Sequence, residues 1–280
     1  MIKNWLLRGD THGNFLWLLD GKLNNYKPEE TAIIILGDAG FDFYLNKTDE
    51  RKKKEVDARG YYIYWLRGNH EARPQDVNGY EKIFDENVHG VVYCDPRYPH
   101  LRAFLDYGLY DIADYTCYVI GGAYSVDKYY RLERAMMTEE TNDPKKSGWW
   151  NNELLTKDEM YHATEQLYTF KDMGKHIDFV FSHTCPTRWL PTDMFLDFVD
   201  QSTVDHSMED WMDSWIDDIH IGIAWCFGHF HADRLERPHV EQYFNDIESL
   251  HNIADRWEQY DKTGQLDWWL AKSPNFYMGR

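Results

Sequence analysis

The chain has 280 residues, of which 43% are hydrophobic and 28% are charged, and this composition excludes a disordered or fibrous protein. Thirty Lys and Arg stand against 48 Asp and Glu, and the resulting formal net charge of −18 argues against long nucleic acid as a partner, because Lys and Arg hold nucleic acid at its phosphates. No apolar run approaches the roughly 18–20 residues of a membrane span and no signal peptide is recognisable, so we expect a cytoplasmic protein without membrane contact.

Apolar runs alternate with helix-like stretches through the first 70 residues. Asn4–Leu7, Thr31–Leu36 and Tyr61–Leu66 are short, apolar and rich in β-branched or aromatic residues, and they predict strands. Asn14–Asn25 and Thr48–Arg59 predict helices between them. This alternation predicts βαβ units with parallel strands.

The rest of the chain combines strand-like runs with fewer helices. Val91–Ile120 contains strand-like runs without obvious helices between them. Thr156–Phe170 has apolar residues near helical spacing and predicts a helix, whereas Ile177–Phe181 and Ile221–Phe227 predict strands. We therefore predict a mixed α/β architecture with two sheets, in a single domain spanning residues 1–280.

An acidic segment, residues 192–218, contains nine Asp and Glu and no Lys or Arg. Its apolar residues at helical spacing are Met208, Trp211, Met212, Trp215 and Ile219. One interpretation is an amphipathic helix packed on the core. The alternative is a helical insertion that acts as a lid or specificity element, because the segment lies between His183 and His229.

Polar residues follow several of the predicted strands in five blocks. In chain order the blocks are Gly9-Asp-Thr-His-Gly13, Gly37-Asp38, Gly68-Asn-His-Glu71, Ser182-His183 and Gly228-His-Phe-His231. In open α/β sheets, ligands gather just beyond the carboxyl ends of the strands. The blocks offer carboxylate, imidazole and amide oxygen ligands without a thiolate, a set that suits Mn²⁺, Fe or Zn²⁺. Together they predict one metal site assembled from several loops.

As a set, the five blocks resemble the pattern of the calcineurin-like metallophosphoesterase superfamily, which runs D-x-H, G-D, G-N-H-[DE], H and G-H-x-H. The resemblance extends from Gly9 to His231. It implies two mixed β-sheets sandwiched between helices, a four-layer α/β/β/α fold, with two divalent metal ions at the strand ends. Mn²⁺ is the favoured metal, and Fe and Zn²⁺ are the alternatives.

The resemblance also implies a role for each residue of the blocks. The implied metal ligands are Asp10, His12 and His231 at one metal, Asn69, His183 and His229 at the other, and Asp38 as a bridge between both. His70 is implied as the catalytic residue that contacts the phosphate and protonates or stabilises the leaving oxygen. The implied reaction is hydrolysis of a phosphate ester by direct attack of a hydroxide held between the two metals.

One block departs from the protein serine/threonine phosphatases of this superfamily, which Leu66–Glu71 otherwise resembles. Those enzymes continue the second block as G-D-x-V-D-R-G, where the Asp supports the catalytic His and the Arg grips phosphate. This chain has Phe41 and Asp42 at those two positions. We therefore expect other cations to contact the substrate phosphate, and the candidates are Arg73 and Arg131.

A second, more local resemblance concerns Gly121–Arg131 and Trp149-Trp150, which are similar to a bacterial and phage-associated group of the superfamily. The favoured activity is that of a phosphomonoesterase acting on a phosphoprotein or a small phosphate. The alternatives are a phosphodiesterase acting on nucleotides or short nucleic acid, and a non-catalytic scaffold of the same fold.

Overall fold

The computed structural model describes residues 2–137, 147–195, 201–266 and 277–278. Within these ranges the chain is α/β, with two mixed seven-stranded sheets and five α-helices. None of the helices in the described ranges is both long enough and apolar enough to cross a membrane.

The first sheet is built from the apolar runs of the N-terminal third and one later strand. Its strands are β1 (Asn4–Arg8), β2 (Thr31–Ile35), β3 (Tyr62–Trp65), β4 (Glu81–Asp85), β5 (Gly90–Cys94), β6 (Leu101–Phe104) and β13 (Ile247–Ser249). They lie in the order β13-β1-β2-β3-β6-β5-β4. Strands β1, β2, β3 and β6 are parallel, so their carboxyl ends share one edge of the sheet.

The second sheet uses the apolar runs that follow. Its strands are β7 (Tyr107–Ile112), β8 (Tyr115–Ile120), β9 (Ile177–Ser182), β10 (Ile221–Phe227), β11 (Arg234–Arg237), β12 (Val240–Gln242) and β14 (Tyr277–Met278). Their order is β14-β11-β12-β10-β9-β8-β7, with β8, β9, β10 and β12 parallel. The predicted two-sheet α/β architecture is confirmed.

Five α-helices connect or flank the strands. They are α1 (Lys47–Asp57), α2 (Lys128–Met137), α3 (Lys157–Asp172), α4 (Ser207–Trp215) and α5 (Leu250–Thr263). The side chain of Asn46 accepts from the N–H of Thr48 at the start of α1, and Thr156 forms a capping box with Glu159 at the start of α3. The helices predicted at Thr48–Arg59 and Thr156–Phe170 are thereby confirmed.

Buried apolar side chains form three clusters around the sheets. One cluster takes residues from both sheets, such as Ile34 of β2 and Phe181 of β9, together with Trp257 of α5. A second includes other residues of β2 and β3 with Val56 of α1. The third joins β8, β9 and β10 to α3 and α4, where Met212 is fully buried. Both faces of the parallel strands are covered, as such strands require.

The helix predicted over Asn14–Asn25 is wrong. The segment instead forms two short 3₁₀ turns, Leu16–Leu19 and Gly21–Leu23. Asp20 between them has extended backbone angles, and its side chain accepts from the N–H of Lys22. This local side-chain hydrogen bond competes with the backbone hydrogen bonds of a continuous helix, and the chain changes direction at Asp20.

The acidic segment contains a helix that packs on the core. Met208, Met212 and Trp215 of α4 are buried, so the amphipathic interpretation is confirmed. The segment also contains two 3₁₀ turns, Thr192–Met194 and Gln201–Thr203, while residues 196–200 lie outside the described ranges.

Candidate metal centre and cleft

Five strands end beside one another and carry the residues singled out from the sequence. The loops after β1, β2, β3, β9 and β10 bring together Asp10, His12, Asp38, Asn69, His70, His183, His229 and His231. The first three of these strands belong to one sheet and the other two to the second sheet. The site therefore depends on both parallel sets ending at a common place.

The first group of metal-compatible atoms belongs to Asp10, His12 and His231. The Nε2 atoms of the two histidines lie 2.8 Å apart, and Oδ2 of Asp10 lies 3.7 Å from Nε2 of His12 and 3.3 Å from Nε2 of His231. Oδ2 of Asp10 is buried, and no hydrogen-bond donor among the described residues meets it. Since an unpaired buried carboxylate oxygen is costly, this arrangement favours a cation between the three side chains.

The second group joins Asp38, Asn69 and His183. Nδ1 of His183 lies 2.8 Å from the carbonyl oxygen of Leu36, so this nitrogen is the ring's donor to the backbone. Its Nε2 then faces Oδ1 of Asn69 at 2.9 Å and Oδ2 of Asp38 at 3.5 Å. Three acceptors converge there, and either a proton or a metal ion must lie between them.

The electrostatics of this group also favour positive charge. Burial opposes protonation of His183, but the carboxylates of Asp38 and Asp10 prevail and raise its pKa to about 9. In turn, although burial raises the pKa of Asp38, His183 holds it well below the usual range. Because metal ligands must shed their protons, a divalent cation would take the place of the His183 proton. The residues present therefore fit the metal pair that the resemblance implies.

Asp10 and Asp38 both lie between the two groups. Oδ2 of Asp38 is 3.9 Å from Nδ1 of His12 and 3.5 Å from Nε2 of His183, and Oδ1 of Asp10 is 3.9 Å from Nδ1 of His183. His229 lies beside them, with its ring centroid 4.9 Å from that of His183 and its backbone N–H donating to Oδ1 of Asp10 at 2.9 Å. Burial and then His183 lower the pKa of His229, which favours the neutral imidazole that a metal requires.

Glycines allow the loops to approach so closely. A Cβ at Gly37 would lie 2.0 Å from Nδ1 of His183, and the φ of Gly37 is +95°. A Cβ at Gly68 would lie 2.0 Å from Oδ1 of Asp38. Only glycine fits at these two positions.

Buried Glu71 joins two of the loops. Its Oε1 accepts from the N–H of Gly68 at 3.1 Å and its Oε2 from the N–H of Gly40 at 3.2 Å. Burial raises the pKa of Glu71 to about 8. The fourth residue of the G-N-H-E block thus positions the loops that carry Asp38 and Asn69.

His70 lines the cleft next to these groups. Its backbone N–H donates to Oδ1 of Asp38 at 2.8 Å, and its ring centroid is 5.8 Å from that of His12. Nδ2 of Asn69 lies 3.2 Å from Nε2 of His70, while Nδ1 has no hydrogen-bond partner among the described residues. Burial lowers the pKa of His70, which favours the neutral ring.

The two departures in the second block have structural roles. Phe41 is fully buried and stacks on Phe15 with ring centroids 4.7 Å apart. Asp42 accepts from Nζ of Lys53 at 2.5 Å and from the hydroxyl of Tyr80 at 2.8 Å. Neither side chain lines the cleft, so neither takes the role that the Asp–Arg pair has in the serine/threonine phosphatases.

A cleft of about 720 Å³ opens over the candidate ligands, and among the described residues the basic side chains of Lys52 and Arg131 line it. Arg131 of α2 lies on its lining, with Nε donating to Oδ2 of Asp127 at 2.6 Å. Lys52 of α1 also lines the cleft and donates to the carbonyl oxygen of Gly40 at 2.5 Å. The sequence did not single out Lys52, because it is one of four consecutive basic residues, Arg51–Lys54, and only the orientation of α1 shows which of them enters the cleft.

Arg73, the other expected substrate contact, does not line the cleft, and this expectation is corrected. Its guanidinium is 5% exposed and bonds Oδ2 of Asp106 at 3.0 Å and Oε1 of Glu159 at 2.5 Å. It also donates to the carbonyl oxygens of Asn152 and Leu154. Because these partners surround the guanidinium, Arg73 links parts of the fold rather than meeting a ligand.

Glu153 is a second residue that the sequence did not single out, and it supports the candidate ligand Asn69 through Ser125. Oε2 of Glu153 accepts from the hydroxyl of Ser125 at 2.5 Å, and Oε1 accepts from the N–H of Ser125 at 3.1 Å. Oγ of Ser125 in turn accepts from Nδ2 of Asn69 at 2.9 Å. This directional chain turns the amide nitrogen of Asn69 away from the metal group and its oxygen toward it.

The acidic segment contributes to the cleft as well as to the core. Glu209 of α4 is 4% exposed, lines the cleft and accepts from the hydroxyl of Thr184 at 2.7 Å. Burial raises the pKa of Glu209 to about 7. Met194, Phe195 and other residues of the segment lie on the same lining, which is the position that the specificity-element hypothesis requires.

A scan of the sequence against protein-family models and a search of curated proteins gave no match.

Proposed function

We propose that the chain is a metal-dependent phosphomonoesterase of the calcineurin-like metallophosphoesterase superfamily. The observation that carries this proposal is the convergence of carboxylate, amide oxygen and imidazole atoms at the strand ends, above all Nε2 of His183 facing Oδ1 of Asn69 at 2.9 Å, where a divalent cation would replace the proton of His183. Such an arrangement, with Asp38 beside it, is a ligand set for a divalent cation.

The metal pair would be held by the seven residues that the resemblance implies. These are Asp10, His12, Asp38, Asn69, His183, His229 and His231. When bound, two divalent ions would supply Lewis-acid activation of water and would offset the charge of the phosphate. Mn²⁺ is our first choice, with Fe and Zn²⁺ as alternatives, because the ligands are oxygen and imidazole nitrogen atoms.

The protein's own cations would orient the phosphate. Arg131 and Lys52 both line the cleft that opens over the candidate ligands. A monoester phosphate carries more negative charge than a diester, so two additional cations favour a monoester. The formal charge of −18 over the chain opposes long nucleic acid, but these local cations attract a small phosphate.

His70 would supply the proton for the departing oxygen. Among the described residues, Nδ2 of Asn69 lies beside Nε2 of His70, whereas Nδ1 is buried without a partner. The proton passed to the ester oxygen would therefore be carried on Nε2 of the protonated ring. An imidazole suits this transfer near neutral pH.

The fold agrees with the proposed family. Three buried clusters, one between the sheets and one on the outer side of each, support the four-layer α/β/β/α arrangement. The cluster that takes residues from both sheets also supports a single domain.

The test is a rate comparison on protein stripped of metal and reloaded with Mn²⁺. We expect metal-dependent hydrolysis of p-nitrophenyl phosphate with a higher kcat/KM than for bis-p-nitrophenyl phosphate. Faster cleavage of the diester would contradict the monoesterase assignment. No turnover of either ester with Mn²⁺, Fe²⁺ or Zn²⁺, despite stoichiometric metal binding, would contradict the enzyme itself.

A further inference from the structure

One side of the cleft is apolar and begins at the candidate ligands themselves. Phe230 lies between His229 and His231 in the chain, and its ring centroid is 4.8 Å from that of His229. Phe195 continues this surface, with its ring centroid 6.2 Å from that of Phe230. The apolar wall, as we use the term, consists of Leu190, Met194, Phe195, Val204 and Phe230.

The wall borders the cleft, and Leu190 and Phe230 pack with their other side against the buried cluster of β8, β9 and β10. Met194 is 38% exposed, and Leu190, Phe195, Val204 and Phe230 are only partly buried. Apolar surface left in contact with water lowers stability, and a contiguous patch beside polar groups marks a binding site. The cleft volume of about 720 Å³ lies within the roughly 300–1,000 Å³ typical of sites for small organic ligands. There is room for an organic group as well as a phosphate.

The cleft lining combines two kinds of surface. His12, His70, Lys52 and Arg131 are polar or charged, and the apolar wall lines the same cleft. A sugar or a second charged group placed on the wall would lose its hydrogen bonds to water without replacing them. A ligand with an anionic phosphate at one end and an apolar group at the other matches both surfaces.

We propose that the substrate class is a phosphate monoester of an apolar alcohol or phenol, and that the apolar wall binds its organic group. This inference rests on the proposed function. In the reaction, the oxygen of a water molecule bonds to phosphorus as the bond from phosphorus to the ester oxygen breaks. One proton of the water remains with inorganic phosphate and the other replaces the proton that His70 gives to the departing alcohol.

The first experiment compares 2-phenylethyl phosphate with ethyl phosphate on the Mn²⁺-loaded full chain. Both are esters of primary alcohols, so the basicity of the leaving oxygen is similar and the apolar group is the main difference. We expect kcat/KM to be roughly tenfold to a hundredfold higher for the phenylethyl ester, the gain typical of burying one phenyl group. Equal values for the two esters would overturn the inference while leaving the proposed function intact.

Substitutions in the apolar wall test whether it causes the preference for the phenylethyl ester. Met194→Gln and Val204→Thr keep the side-chain volume nearly constant but introduce polar atoms, and we expect each to lower the phenylethyl-to-ethyl ratio at least about threefold. The matched control is Met173→Gln, at the exposed end of α3 outside the cleft, where Met173 is 67% exposed. A ratio unchanged by both wall variants, or lowered equally by the control, would contradict the role of the wall.

Binding of phosphonates separates this inference from catalysis. The carbon–phosphorus bond of 2-phenylethylphosphonate and ethylphosphonate is not hydrolysed, so calorimetry reports affinity alone. If neither phosphate ester is cleaved, the proposed phosphomonoesterase activity is refuted. The affinities for the two phosphonates then still test whether the apolar wall binds an organic group. Tighter binding of the phenylethyl compound, reduced by Met194→Gln, supports the wall as an apolar subsite, and equal affinities overturn it.

Discussion

Oδ1 of Asn69 and Nε2 of His183 face each other across 2.9 Å, and neither atom has a hydrogen to offer the other when His183 is neutral. Asn69 is held in this orientation from behind, because its Nδ2 donates to Oγ of Ser125, which donates to Glu153. A rotated amide would instead point its hydrogens at the metal group. The orientation of one amide therefore decides whether the second group can accept a cation.

The first prediction concerns Glu153→Gln. Both carboxylate oxygens of Glu153 accept from Ser125, and a glutamine can accept at only one of those positions. We expect one of two bound Mn²⁺ ions to bind roughly 10- to 100-fold more weakly, the usual effect of losing a partner behind a metal ligand. Calorimetric titration of Mn²⁺ into stripped protein measures it. Glu236→Gln, at a buried carboxyl outside the cleft lining, is the control. An equal loss of Mn²⁺ affinity in that variant would refute the role of the hydrogen bonds that connect Asn69, Ser125 and Glu153.

The second prediction concerns His70→Ala. The backbone N–H of residue 70, which donates to Oδ1 of Asp38, survives this substitution, so metal binding should not change. Loss of the imidazole should lower kcat by roughly 10²- to 10⁴-fold, the usual contribution of general acid catalysis. Metal content and kcat are measured on the same sample. Full activity in this variant would remove His70 from the catalytic assignment.

Arg131→Ala provides the third prediction. Arg131 lines the cleft, and Asp127 holds its guanidinium in place. We expect KM for a phosphate monoester to rise roughly tenfold or more, as for loss of a charge-assisted hydrogen bond, with an unchanged melting temperature. Arg134→Ala, on the exposed side of the same helix, is the control. If both variants retain the original KM, Arg131 does not contact the substrate.

Arg73→Ala should affect folding rather than substrate binding. The substitution leaves Asp106, which is 9% exposed at its side chain, with one cation fewer and releases Glu159. Removing one partner of a buried ion pair typically lowers the free energy of unfolding by roughly 3–5 kcal/mol. Denaturant unfolding measures this loss, with Arg51→Ala at an exposed pair as the control. A raised KM at unchanged stability would instead return Arg73 to the substrate site.

The fifth prediction is a pH dependence of stability caused by Glu209. Burial raises its pKa from 4.5 to about 7. The folded state therefore binds more protons than the unfolded state between about pH 4.5 and pH 7, and this carboxyl makes stability fall as the pH rises through that window. Glu209→Gln keeps an acceptor for Thr184 and removes the titration.

We therefore expect Glu209→Gln to be more stable than the natural chain at pH 8, by roughly 1–3 kcal/mol, and nearly equal at pH 4.5. Urea unfolding of metal-free protein at several pH values measures the difference. Glu55→Gln, at a side chain that is 70% exposed, controls for the change in net charge. Parallel pH profiles for the natural chain and Glu209→Gln would contradict the assignment.

The sequence predicted the strands that precede the candidate ligands because those strands are buried on both faces. Thr31–Ile35 is buried at every position, so it reads as an uninterrupted apolar run with a Gly-Asp block after it. Helices with a clear cap were also predictable, as at Thr156. Asn14–Asn25 was not, because Asp20 can bond its own backbone and thereby break a helix that the apolar pattern alone allows.

Contacts between distant parts of the chain explain the rest. Ser125 lies 56 positions from Asn69 and 28 from Glu153, and no motif connects the three residues. Arg73 is only three positions from His70, but a 3₁₀ turn at Pro74–Asp76 follows it directly. The guanidinium of Arg73 contacts Glu159, which is 86 positions away in the sequence. Proximity to His70 in the sequence therefore gives the wrong position for Arg73. Only the orientation of α1 identifies Lys52 as a residue of the cleft.

Four of the candidate ligands have left-handed backbone conformations, and this restricts how the centre can be redesigned. The φ angles of His12, Asp38, His229 and His231 lie between 45° and 67°. Among residues with a side chain, Asn, Asp and His adopt this region most readily, whereas β-branched residues are strained there. Laboratory evolution toward another metal should therefore sample Asp, Asn and His at these four positions and reserve broader mutagenesis for Asp10, Asn69 and His183.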